Sequence, residues 1–274
     1  MVNSIKEKLD KADTISEIRL MLGHSKDTVC VVVEGADDQK LFRPLLSENV
    51  QLFQSYASKN GVDEIVKQYF PKNKRVIGIR DKDYLDMPVS KRSFFCDFCC
   101  AEMMIIALDS CFERIYCNFY NKDVYDCNTL RIHCLERLEK LSKLRQLNEQ
   151  NHWSVSFDGI KPGKFYNEDI STMEMAIVTE LNNQNPANMI DAARDALCNT
   201  LPKCTHLHEY LNITNGHDFI HLFCIVCLDK HSKASIEAIE TTIRGTLGKN
   251  DFMRTALYAN LLAYQTSKNI QVVG

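Results

Sequence analysis

The chain has 274 residues, 45% of them hydrophobic and 25% charged, with a formal net charge of −3. That balance predicts a soluble globular protein with a sizeable core, in one large domain or two small ones. It excludes a generic basic nucleic-acid coat, and the longest apolar runs, MMIIAL and LFCIVCL, are too short to span a bilayer.

The opening segment, NSIKEKLDKAD, is charged and has no apolar core, so no signal peptide is expected and a cytoplasmic location follows. Thr14-x-x-Glu17 has the form of a capping box ahead of a helix carrying Ile15, Ile18, Leu20 and Leu22 and stopped by Gly23. Residues 28–34 form a continuous apolar strand of the kind buried on both faces of a parallel sheet. A helix over 37–46, a strand over 50–56, a helix over 61–70 ended by Pro71 and a strand over 75–79 follow. This alternation predicts βαβ units. A fourth strand over 93–98 leads into a helix over 101–114.

Beyond residue 118 the pattern turns helical. Residues 128–151 read as one long helix whose leucines, at 135, 138, 141, 144 and 147, recur every third position. On a 3.6-residue helix that stripe winds round the axis. Such a helix is either sandwiched between neighbours or offers an apolar surface to a partner. WSVSFDGI reads as a strand, KPGK as a loop, and 232–247 and 251–265 as the last helices. The expected organisation is α/β, with the sheet and its N-terminal helix over 1–115 and a mainly helical C-terminal region over 116–274.

Two strands end in acids. VCVVVEGADDQ places Glu34 and Asp38 after the first strand, and RVIGIRDKD places Asp81 and Asp83 after the third. In an open parallel sheet, ligands bind outside the carboxyl ends of the strands. Gly35 is expected to allow the tight turn after Glu34. Asp81 and Asp83, two apart on an extended backbone, are expected to point to one side. Carboxylates gathered this closely repel one another unless a divalent cation neutralises them, so the pattern predicts a magnesium site.

VVVEGADD together with IRDKDY resembles the Toprim domain of topoisomerases, bacterial primases and OLD-type nucleases. Size and the lack of a zinc ribbon turn the comparison to small OLD-related Toprim proteins, the AriB-type effectors of the PARIS anti-phage defence system. Glu102 at the head of the helix after the fourth strand, NGHDFIHLF and the closing helices carry that part of the resemblance. It covers 28–110 by motif and 115–274 by general pattern.

The resemblance implies a Toprim-like parallel sheet flanked by helices, and a nuclease using Mg2+ or Mn2+. The implied metal ligands are Glu34, Asp81 and Asp83, with Asp38 and Glu102 as further acids. The run CDFCCAE leaves Asp97 as the alternative to Glu102. Glu34, Asp81 and Asp83 would be catalytic. A basic residue from IKPGKF, Lys164 or Lys161, would meet the charge developing on the phosphoryl oxygens. Lys82, between two inward aspartates, should turn away; with Lys91 and Arg92 it would help receive phosphates. The implied substrate is RNA, transfer RNA in particular, and cutting it would arrest the host. The implied partner is an AriA-like ABC-type ATPase; a homodimer is a further assembly, and no membrane is involved. A non-catalytic Toprim sheet that senses a nucleotide or a phage protein is the alternative.

Other patterns read as structure. The 12 cysteines are irregularly spaced and several lie in apolar runs (Cys30, Cys224, Cys227), as reduced thiols packed like small hydrophobes do. The pairs Cys96/Cys99 and Cys224/Cys227 have zinc-ligand spacing but no glycine knuckle. Cys204, His206 and His208 suit a half-buried segment. Asn215 or Asp218 is expected to cap a helix and Trp153 to pack in the core, while Asp37 and Asp86 are expected to be solvated. In a reducing compartment the sequon Asn212-Ile213-Thr214 carries no glycan. A receiver-type phosphoacceptor fits poorly, because its acid pair should directly follow the first strand.

Overall fold

The computed structural model describes residues 11–165, 170–198, 201–228 and 234–274. The segment before Lys11 and the first two residues of the helix expected at 232–247 lie outside the described residues. The chain divides into two compact units, residues 1–97 with 247–274, and residues 98–246. This differs from a division at 115/116: the closing helices pack with the sheet, and the helix after the fourth strand packs with the helical part. Among the described residues, no helix is long and apolar enough to cross a membrane.

The first unit is built on four parallel strands, β1 (Val29–Val33), β2 (Val50–Gln54), β3 (Val76–Arg80) and β4 (Ser93–Phe95), in the order β2-β1-β3-β4. The α/β class and parallel sheet are as the sequence predicts. All five β1 residues are fully buried, which explains why VCVVV has no polar alternation. Helix α1 (Lys11–His24) packs on β1 and β2, α2 (Ala36–Phe42) on the same two strands, and α3 (Ser58–Glu64) on β1 and β3. One face of the sheet (Cys30, Val32, Val76) meets Ile15 and Ile18 of α1 and Val62 and Ile65 at the end of α3. The helix expected at 61–70 is α3 running into a π turn, Ile65–Tyr69. Thr14 is no cap: it lies inside α1 and is buried.

Two glycines allow α3 to sit this close. A Cβ on Gly78 of β3 would come within 2.6 Å of Val62 Cγ1, and one on Gly61 within 2.2 Å of Ser55 Oγ. Ser55 Oγ cannot swing aside, since it donates to the Ser58 carbonyl (2.7 Å) and accepts from Ala57 N (3.1 Å). Gly61→Ala is therefore expected to cost about 1–3 kcal/mol by overpacking, read as a lower urea midpoint at unchanged m-value.

The closing helix, Ala256–Lys268, packs on β4. Asp97 starts it, its two carboxylate oxygens accepting from Ala256 N (2.7 Å) and Leu257 N (2.8 Å). Burial raises the Asp97 pKa, against the pull of those two N–H groups.

The second unit is helical: α4 (Ala101–Ala107), α5 (Asp109–Phe119), α6 (Cys127–Asn151), α7 (Ile170–Gln184), α8 (Ala187–Cys198), α9 (Leu207–Ile213), α10 (Gly216–Cys227) and α11 (Ile236–Thr246). The helix expected at 101–114 breaks at Leu108, which is extended. Arg131 of α6 fills the break, donating to the Ile106 (3.0 Å) and Ala107 (3.4 Å) carbonyls and pairing with Asp109 (2.7 Å). Helix α6 touches α5, α8, α9 and α10, so it is the sandwiched alternative of the two the leucine stripe allows. Leu135, Leu138, Leu141 and Leu144 are buried inside this unit, which removes them as a docking surface for a partner.

WSVSFDGI is not a strand. Ser154 and Gly159 have positive φ, and Val155, Phe157 and Ile160 pack into the helical core beside Leu144 and Ile177, with Trp153 against them. Two asparagine side chains take the place of strand neighbours. Asn148 pairs with both backbone groups of Val155 (2.9 and 3.2 Å), and Asn185 with both of Ser156 (2.8 and 2.9 Å). An apolar alternation satisfied by side-chain amides looks identical in sequence to one satisfied by a ladder.

Candidate functional site

The strand order makes the gap between β1 and β3 the place where connections leave in opposite directions, the usual ligand crevice of an open parallel sheet. Glu34 and Asp81 are the first residues past these two strands. The Glu34 carboxylate bridges the crevice: Oε1 accepts from Asp81 N (3.0 Å) and Oε2 from Ser58 Oγ (2.8 Å). Ser58 opens α3 with φ +45, a left-handed conformation that costs a non-glycine residue energy and is held by the Ser55 contacts. An ionised carboxylate has about four acceptor positions, so two donors leave room for a further electrophile.

Asp38 lies in the first turn of α2, with Oδ2 accepting from Gly35 N at 2.8 Å. Gly35 is extended (φ −143), so no glycine-specific turn is needed there. Asp83 also departs from the extended-backbone geometry. β3 ends at Arg80, Asp83 has φ +50, and its Oδ2 meets Lys59 Nζ (3.0 Å) and Arg80 Nη2 (3.2 Å).

Arg80 is the hub of this edge. Its side chain is 3% exposed, and it pairs with Asp63 (2.6 Å), donates Nε to the Asp81 carbonyl (3.0 Å) and lies 5.5 Å over the Phe95 ring. Asp63 Oδ1 is buried with no partner among the described residues, so Arg80 is what neutralises Asp63. Arg80, Asp63, Lys59 and Ser58 were not singled out from sequence. The signal was an arginine ending an otherwise apolar strand, VIGIR, which must find acids when buried.

Around this crevice Glu34, Asp38, Asp63, Asp81 and Asp83 outnumber Lys59 and Arg80. The donor set is hard carboxylate oxygen with negative charge in excess, which fits Mg2+ or Mn2+. Asp83 meets two cations and Asp38 an N–H group, while Glu34 Oε1 and Oε2 each accept one hydrogen bond.

Glu102 belongs to the second unit, half-buried in the first turn of α4. There it lies against the start of α10: a Cβ on Gly216 would be 2.5 Å from Glu102 Oε2. Asp97 belongs to the first unit and is taken up as a helix cap. Lys161 is exposed in the second unit, and Lys164 lies in a 3-10 turn, Pro162–Phe165, with its side chain outside the described residues. Asn215 caps α10 through His217 N (2.9 Å) and Asp218 N (3.3 Å). Asp218 instead forms a two-point ion pair with Arg145 (2.7 and 3.0 Å). Burial raises the Asp218 pKa, with Arg145 opposing. Cys96, Cys99, Cys224 and Cys227 are each buried, and Asp37 is solvent-exposed beside Lys40.

No protein-family model, curated protein or solved structure matches the chain.

Proposed function

We propose that this chain is a divalent-metal-dependent phosphodiesterase that cuts nucleic acid. In this reading it acts on RNA, transfer RNA in particular, as a cytoplasmic effector of anti-phage defence controlled by an AriA-like ABC-type ATPase. The observation that carries the chemistry is the Glu34 carboxylate hydrogen-bonded to the backbone of Asp81 at the β1/β3 switch point, within an excess of acids. Substrate and partner rest on the resemblance of VVVEGADD and IRDKDY to the Toprim motifs.

Glu34 and Asp81 would hold Mg2+ or Mn2+, which supplies Lewis-acid stabilisation and an activated water for in-line attack at phosphorus. The chain's own groups fix the geometry. Ser58 Oγ and Asp81 N orient the Glu34 carboxylate, and Arg80 keeps Asp63 and Asp83 in place. Lys59, half-exposed and 3.0 Å from Asp83, meets the developing phosphoryl charge in this reading, in place of Lys161 or Lys164.

The test is incubation of the chain, alone and with an ABC-type ATPase, with end-labelled RNA and DNA in Mg2+, Mn2+ or EDTA. Metal-dependent cutting of RNA is expected, absent in EDTA and with Glu34→Ala. Equal cutting by the wild type and Glu34→Ala would exclude this site. Asp83, already tied to two cations, favours one other reading, a sheet that binds without cutting. Its signature is nucleotide or RNA binding in all conditions with cleavage in none.

A further inference from the structure

Between edge strand β4 and the closing helix lies a groove of about 560 Å³, the size of a small-ligand site. Aromatic rings line it: Phe94 and Phe95, both half-buried, and Tyr264, whose ring meets Phe94 edge-to-face at 5.5 Å. Lys91 and Lys268 stand exposed on its walls, with the exposed amide of Asn260 and hydroxyl of Ser267 between them. None of its lining residues is acidic, in a chain where 36 acids outnumber 33 bases. Lys74 adds a cation nearby, its Nζ donating to the Lys268 carbonyl at 2.7 Å.

Register ties this groove to the candidate site. Phe95 pairs with Arg80 across the parallel β3–β4 ladder, and Asp81 follows Arg80 directly. Adjacent strands lie about 4.8 Å apart, so Phe95, part of the groove lining, lies one strand away from Arg80 at the edge of the acidic crevice.

We propose that this groove seats single-stranded RNA, with a base against Phe94, flanking phosphates on Lys91 and Lys268, and the strand continuing past Phe95 toward Asp81. Aromatic faces interleaved with cations are the usual means of holding single strands without reading sequence. The acid-free, cationic lining favours a polyanion over an apolar protein segment. The proposal rests on the nuclease reading for its substrate class, but its test needs no cleavage.

The test is fluorescence anisotropy in EDTA with a labelled single-stranded RNA of about ten nucleotides, within the usual single-strand site sizes. Lys91→Glu/Lys268→Glu is expected to raise Kd at least ~10-fold and to flatten the log–log salt dependence by about 1.4, two phosphate contacts on a single strand. Phe94→Leu should weaken binding about tenfold with the salt slope unchanged, as loss of a stacking face does. Lys203→Glu, an exposed lysine of the second unit, is the control and should leave Kd alone. Circular dichroism melts confirm folding of each variant. No measurable binding by the wild type, an unchanged Kd in the double variant, or equal affinity for the matching DNA overturns the proposal. So does protection of Lys91 and Lys268 from acetylation by the ATPase but not by RNA. Absence of cleavage in Mg2+ with this binding intact sinks the nuclease reading alone, and cleavage with a mute groove sinks the groove alone.

Discussion

Glu34→Gln is expected to fold with nearly unchanged stability and to lose metal-dependent cleavage. The amide keeps the size of the side chain and a carbonyl oxygen for Asp81 N, while Ser58 Oγ can donate to that oxygen or accept from the amide. The net cost of the altered hydrogen bonds is about 1 kcal/mol. What disappears is a negative charge and one of the two proposed metal ligands. A bound ion supplies several kcal/mol of transition-state stabilisation, so the rate should fall at least ~10²-fold. Mn2+ titration followed by electron paramagnetic resonance gives a readout independent of activity, and weaker binding is expected alongside the rate loss. Wild-type Mn2+ affinity and wild-type cleavage in a folded Glu34→Gln protein would remove Glu34 from the site.

The sheet was legible because its signals are local. A fully buried parallel strand has to be apolar throughout, and VCVVV and VIGI cannot be much else. The same reasoning placed Glu34 and Asp81 correctly at the ends of β1 and β3, since a strand's last residue fixes where the next one emerges. It failed where tertiary partners decide. Asp83 is expected to point to the same side as Asp81, but its left-handed backbone, three residues past the strand, ends the extended run, and its carboxylate meets Lys59 and Arg80. Asp38, expected as a further acid of the site, and Asp97, the alternative to Glu102, each accept from backbone N–H groups, Asp97 across 159 residues of sequence. Residues 153–160 show the same limit in the other direction: the pattern says strand, and Asn148 and Asn185 supply the hydrogen bonds that make a strand unnecessary.

Arg80 is where fold and site depend on one side chain, and Arg80→Met should be the most destabilising single change at this edge. The guanidinium is almost fully buried against Asp63 and Asp83. Methionine keeps much of the apolar volume beside Phe95 but leaves Asp63, 16% exposed, with both oxygens unpaired. Breaking a buried pair by removing one partner costs about 3–5 kcal/mol; Asp83, 30% exposed and still beside Lys59, adds little because water screens it. The loss should appear as a lower urea midpoint. Arg80→Met/Asp63→Leu should recover much of it, because an apolar pair of similar volume often replaces a buried ion pair without penalty. A double variant no more stable than Arg80→Met would mean that Asp63 is not the charge Arg80 serves. Recovery of stability without recovery of Mn2+ binding would separate the two duties of Arg80, neutralising Asp63 in the fold and holding Asp83 and the Asp81 carbonyl at the crevice.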